Sequence, residues 1–371
     1  MTTNPFDADR PPDLGRRRGK GGKGGKGGQG SGGRRDESIM VPDVSFDSYY
    51  GRHIVKPAPW EKEVAAYLFL GGVAAGSALL GAGGAARGYP ALQRVGRIGA
   101  VTGAALGGAA LAKDLGKPSR ALNMMRTIKL TSPMSVGSWI LTAFGSFAGA
   151  ALAAEVGRPL LERRSGSTRS GSRLVSMASK ALQLADGPAT VGSAFFAPPL
   201  AAYTAVLLAD TATPTWHESY RELPFVFVSS ANLAASGLAL MAVPTRENGP
   251  ARKLAAVSAV AELVMFERLQ EQLGETLAEP LRTGKAGRLL KASRALTVGG
   301  ALGAAVLGGN RLAAAVSGAA LMAASACTRF GVFEAGMVSA IDPKYTVEPQ
   351  RERLEKRRAA GIVDDSITTA H

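Results

Sequence analysis

Between Val64 and Ala340 the chain is a succession of apolar segments separated by short links rich in Arg and Lys. That pattern leaves few folds open. A run of about 20 apolar residues crosses a bilayer core about 30 Å thick as a helix, because a helix satisfies its own backbone hydrogen bonds where water is absent. We read spans at 64–86, 95–112, 134–155, 188–210, 223–243, 251–270, 293–310 and 312–332. The expected fold class is all-α: a polytopic transmembrane helix bundle of about eight spans. The seventh and eighth spans read as short, with Arg311 between them snorkelling to a surface.

The mean hydropathy of +0.06 looks low for such a protein. Two features lower it. Polar tails flank the bundle, and the apolar runs use Gly (47 residues) and Ala where other membrane helices use Val and Ile. Small residues let helices approach closely inside lipid, where the hydrophobic effect no longer drives helices together. Gly72 and Gly76, with Leu80 a turn on, have that spacing.

Four regions follow. Residues 1–38 form a Gly/Lys/Arg-rich tail with nothing to bury, hence expected to be disordered; no apolar h-region follows its basic cluster, so it does not read as a signal peptide. Residues 39–63 form an approach segment in which Trp60 is placed as an interfacial aromatic anchor. The bundle occupies 64–340, and 341–371 form a polar C-terminal tail.

A formal charge of +15 invites a nucleic-acid reading. The charges lie in links and tails, as they do around membrane spans, so no nucleic-acid partner is expected. With an even span count, one side of the membrane collects 30 of the 44 Lys and Arg residues against 13 on the other. Dropping the N-terminal tail still leaves 18 against 13. Both termini are thereby assigned to the cytoplasm, and the chain to the cell membrane.

Redox centres are constrained by what is missing. Cys327 alone cannot hold an iron–sulfur cluster, which takes about four thiolates. His53, His217 and His371 lie outside or at the ends of the apolar runs, leaving no pair to ligate haem. No haem, cluster or other metal site is expected on this chain.

Charges inside the membrane are costly and so stand as functional candidates. Glu262 lies in the middle of the sixth span and needs a partner, a proton or a water-filled path. Glu267 with Arg268, and Arg329 with Glu334, read as end-of-helix charges at the interface. Asp210 closes the fourth span. Asp114 closes the second, either as a cap, paired with Lys113 or Arg120, or as a proton carrier. Tyr67, Asp114, the break at Ser132–Met134 and Tyr203 should all fall at one face of four adjacent helices. A quinone offers two carbonyl acceptors to such phenols, and a nearby carboxylate takes up or delivers the accompanying protons.

Five strings carry a resemblance: YYGRHIVKPAPWEKEVAAYLFLGGVAAGS, DLGKPSRALNMMR, TSPMSVGSW, YTAVLLADTATPTWHES and LPFVFVSSANLAASGLAL. Together, over residues 45–245, they resemble the NrfD-type, or polysulfide reductase membrane-subunit, family. The chain has Tyr203-Thr204-Ala205 where the family has Tyr-Thr-Gly, and Thr213-Pro214-Thr215-Trp216 where it has Arg-Pro-x-Trp. The resemblance implies a haem-free subunit of eight or nine spans that binds menaquinone or ubiquinone. It implies docking to an iron–sulfur subunit, which serves a molybdopterin catalytic subunit of, for example, formate dehydrogenase type. It also implies quinone contacts at Tyr67, where some members carry His, and at Tyr203, with Asp114 linked to proton movement. Two other classes compete: a proton or solute transporter using Glu262, Asp114 and Asp210, and a purely structural anchor.

Overall fold

Every long element is a helix that begins or ends on a residue suited to stopping one. The computed structural model describes residues 53–114, 123–165 and 172–360. The tail expected at 1–38, most of the approach segment, Arg120 and the last residues of the C-terminal tail lie outside them. The helices are α1 (Lys62–Arg87), α2 (Pro90–Asp114), α3 (Pro133–Ser165), α4 (Ser172–Ala209), α5 (Pro214–Glu218), α6 (Leu223–Ala242), α7 (Gly249–Arg282), α8 (Gly284–Leu307), α9 (Arg311–Ile341) and α10 (Lys344–Ala359). Among the described residues there is no strand.

Among the described residues, six helices (α1, α2, α3, α4, α6 and α9) are long and apolar enough to cross a membrane. Within the bundle α7 and α8 pack beside them, at 34 and 24 residues, and carry more charge. Neither helix of the seventh and eighth expected spans is short: α8 has 24 residues and α9 has 31. The sequence reading stopped them early because their ends are polar, whereas the helices continue past the apolar run. Pairs α1–α2, α3–α4 and α8–α9 form hairpins, and α6 packs on α1, α4, α7 and α9.

Close contact explains the glycine content. A Cβ on Gly96 of α2 would fall 2.5 Å from the backbone of Gly81 on α1. One on Gly237 of α6 would fall 2.5 Å from the Gly318 carbonyl of α9, and the reverse holds. Gly72 and Gly76 do face another helix: their nearest neighbours are Ala231 and Ala235 of α6. The α1–α2 turn closes on Gly88 in the left-handed region (φ 69°), with Tyr89 N–H donating to the Gly84 carbonyl at 2.8 Å and Pro90 opening α2.

Several charges in the links are helix caps. Glu247 accepts from Ala91 N–H at 2.7 Å, at the start of α2. Arg252 donates to the Ala304 and Ala305 carbonyls (2.8 and 2.7 Å) at the end of α8. Arg311 is exposed and donates to the carbonyls of Leu240, at 2.9 Å, and of Met241, at the end of α6. Each places a charge where the helix dipole favours it.

Candidate functional site

Tyr67 stands about one and a half turns into α1 and is 1% exposed. Its ring packs where α2 contributes Gly107, at which a Cβ would come within 3.2 Å of the ring. Tyr203, near the end of α4, lies 6.5 Å away centroid to centroid, tilted by 55°. Gly137 of α3 lies so close beneath the Tyr203 ring that any Cβ there would overlap it. Two helices, α2 and α3, thus shape themselves around phenols from two others, α1 and α4. The Tyr67 hydroxyl is buried with no hydrogen-bond partner. A buried polar group left unpaired costs about 1–3 kcal/mol, so a carbonyl oxygen supplied by a ligand fits the position.

Asp114 ends α2 at the same end of the bundle. It is half-buried, and its Oδ1 accepts from Glu61 N–H at 3.4 Å, just ahead of α1. Gly107, beside Tyr67, is seven residues back along α2, which places Asp114 about 10 Å further toward the face. Lys113 pairs with Glu63 at 2.7 Å instead of with Asp114. Asp210 is exposed. Trp60 lies against the protein: its ring stacks 6.0 Å from Trp216, which is fully buried and donates to the Val332 carbonyl at 2.8 Å.

Glu262 lies in a second polar cluster among α7, α8 and α9, at 4% exposure. Thr297 donates to its Oε2 at 3.1 Å and Thr328 to its Oε1 at 3.0 Å. Ser293 is 2.6 Å from the Thr328 hydroxyl and 2.9 Å from the Ala324 carbonyl. Glu262 also lines a cavity of about 370 Å³. The charges read as lying at helix ends take partners from other helices. Glu267 pairs with Arg294, and Glu334 with Lys285. Arg329 is 0% exposed, in the middle of the packing: its guanidinium lies 3.8 Å over the Phe227 ring and donates to the Phe227 carbonyl at 2.5 Å. The sequence read it as terminal because the apolar run ends near it, yet α9 runs twelve residues further.

A family model described as "Polysulphide reductase, NrfD" matches residues 53–270, more than half of the chain. The chain belongs to this family. Membership makes it a membrane subunit of oxidoreductase complexes. A search of curated proteins found no match. The NrfD match covers Tyr67, Asp114, Tyr203 and Glu262, and ends within α7. Thr297, Thr328 and Arg329 come from beyond it.

Sequence reasoning missed one buried charge cluster in this NrfD chain. Arg97 of α2, 5% exposed, pairs with Asp186 at 2.6 Å and Glu155 at 3.1 Å, and donates to Thr190 at 2.7 Å. It fastens α2 to α3 and α4. The available signal was a charge two residues inside the second expected span. Among the described residues, no three His, Cys, Asp or Glu side chains gather at one point.

Proposed function

We propose that this NrfD chain is the quinone-reactive membrane subunit of a respiratory oxidoreductase, exchanging electrons with an iron–sulfur subunit that serves a molybdopterin catalytic subunit. The observation that carries the reading is the unpartnered Tyr67 hydroxyl beside Tyr203, inside the stretch matched by the family. A menaquinone or ubiquinone supplies two-electron, two-proton chemistry when bound. Tyr67 and Tyr203 orient its head by donating hydrogen bonds to carbonyl oxygen, while their glycine-backed rings exclude water. Asp114, one step nearer the face, holds and passes protons between that pocket and the aqueous side. Glu262 is a second proton-holding carboxylate, deeper in the bundle. The iron–sulfur subunit docks on the face that Asp114 occupies, in the cytoplasm, where both termini of the chain also lie. No step is complete on this chain alone.

The test is kinetic. Losing one hydrogen bond to a quinone carbonyl costs about 0.5–1.5 kcal/mol, so Tyr203→Phe should weaken quinone affinity by up to about tenfold without releasing the partner subunit. Tyr67→Phe should act in the same way. Unchanged quinone kinetics in the double variant would move the pocket elsewhere. Asp114→Asn should leave assembly intact and slow quinone turnover, and a wild-type rate across pH would reduce Asp114 to a cap on the α1–α2 hairpin.

A further inference from the structure

Arg282 shows how α7 gives way to α8. An unbroken helix would hold it about 18 Å from Gln270, twelve residues earlier. Instead its Nε donates to the Gln270 side-chain oxygen at 2.8 Å. The fold-back starts at Gly274, whose φ of 69° and ψ of −173° are closed to most side chains. It brings Arg282 to the cavity beside Glu262, whose lining also includes Lys291 and Arg294 of α8.

All three cations are exposed, so they stand at the mouth of the cavity. Two carboxylates share the lining, Glu262 and Glu267. Glu262 is 4% exposed, at the closed end, and accepts hydrogen bonds from Thr297, Thr328 and Ser230. Glu267 pairs with Arg294. That leaves Lys291 without a partner among the described residues, while Arg282 engages only its Nε. The mouth therefore keeps positive charge and free donors for an anion from outside the chain.

The outward faces of the same two helices say what that outside is. Lys291 shares a helix face with Val298 and Leu302, about two and three turns further along α8. Those two side chains are 40% and 60% exposed, and on α7 Val260 and Val264 are 64% and 45% exposed. The α7 and α8 groups stand at one level, because Thr297 bonds Glu262 between them. Since α8 runs back along α9, which is long and apolar enough to cross a membrane, these outward side chains meet acyl chains.

We infer that the α7–α8 surface is a binding site for an anionic phospholipid. Its phosphodiester lies at Lys291 and Arg282, and its acyl chains run along Val298, Leu302, Val260 and Val264. Basic pockets between membrane helices recognise anionic headgroups in this way. The cavity, at about 370 Å³, falls within the roughly 300–1,000 Å³ of small-molecule sites, so the headgroup has room to settle at the mouth. A free phosphate offers the same oxygens but gains nothing from the exposed valines and leucine. The site takes no residue from the tyrosine pair and is independent of the quinone-reactive reading.

The experiment is photolabelling of the whole complex in phosphatidylcholine nanodiscs doped with phosphatidylglycerol that carries a diazirine in one acyl chain, the labelled peptides being identified by mass spectrometry. Label is expected within 257–264 and 298–306, displaced by unlabelled phosphatidylglycerol and not by further phosphatidylcholine. Lys291→Gln should lower that labelling about fivefold, the contribution of one cation beside an anionic headgroup. Arg282→Gln should do the same, and both positions are exposed, so the fold survives the change. Arg351→Gln removes the same charge from an exposed position on α10 and should leave the labelling unchanged. Equal losses in Lys291→Gln and Arg351→Gln would reduce the attraction to the general field of the chain and overturn the site. Label spread evenly over the outward faces of all the helices, or displaced equally by phosphatidylcholine, would overturn it too. Full displacement by inorganic phosphate would make the ligand a free anion and refute the lipid.

Discussion

Arg329 is the residue whose chemistry is least forgiving. A guanidinium buried this deeply needs its donors occupied, and here one goes to the Phe227 carbonyl while the plane stacks on the Phe227 ring. Lysine has no plane to stack and delivers a point charge from a flexible stem. Arg329→Lys should therefore destabilise the bundle by about 1–3 kcal/mol, read as a lower unfolding midpoint in detergent. Lys285→Ala, which removes a partner of Glu334 at an exposed pair, should cost less than about 1 kcal/mol. Equal midpoints for the two variants would show that burial at Phe227 contributes nothing. Sequence reasoning found Glu262 as a charge in need of a partner but could not name Thr297 or Thr328, which are 35 and 66 residues away. Hydroxyls that far along the chain become partners only through the α7–α8–α9 packing. Tyr67 and Tyr203 were legible for the opposite reason: each lies near the end of a helix that returns to the same face, so topology alone brings them together.

At the scale of the helices, the apolar runs located every long element, and the errors are confined to the ends. Segment 293–310 became Gly284–Leu307, and 251–270 became Gly249–Arg282. Hydropathy marks where lipid begins, whereas hydrogen bonding and caps decide where a helix stops. Arg311 illustrates the difference. A lone Arg between two runs reads as snorkelling to a surface; that its guanidinium also closes the C-terminal end of α6 is a contact invisible without knowing which helix ends beside it. Glycine positions divide in the same way. Gly237 meets the Gly318 backbone and Met322, while Gly83 has nothing within 4 Å of an added Cβ. Gly237→Leu should separate α6 from α9 and remove the monodisperse peak in size-exclusion chromatography. Gly83→Leu, in the same kind of apolar helix, should leave that peak in place. Loss of the peak in both would mean that glycine serves helix flexibility here and not close approach.

Seen as a whole, the bundle has two unlike ends. One carries the start of α1, the end of α2, the ends of α4 and α9, the short α5 and α10. There α10 is tied back by Lys344 to Glu279 at 2.6 Å and by Arg353 to Glu218 at 3.0 Å. The other end carries the α1–α2 turn, the α6–α7 link and the α8–α9 corner, with charges spent on capping. Electron transfer weakens steeply with distance, so on the proposed function an iron–sulfur subunit would dock on the first end, nearest Tyr67 and Tyr203. The proposed orientation, from the Lys and Arg bias, puts that end in the cytoplasm. Because Cys327 is the only cysteine, a Cys327→Ser background permits single-cysteine mapping. Lys129→Cys and Arg353→Cys, both at exposed positions of the first end, should resist a membrane-impermeant maleimide in intact cells and react after lysis. Arg246→Cys, whose side chain is 82% exposed on the opposite end, should react in intact cells. The reverse pattern would invert the topology. Cross-linking then separates docking from orientation: the iron–sulfur subunit should join to residues 123–132 and not to 244–248, whichever way the bundle sits in the membrane. Cross-links at 244–248 would detach the electron path from the tyrosine pair, whatever the maleimide had shown.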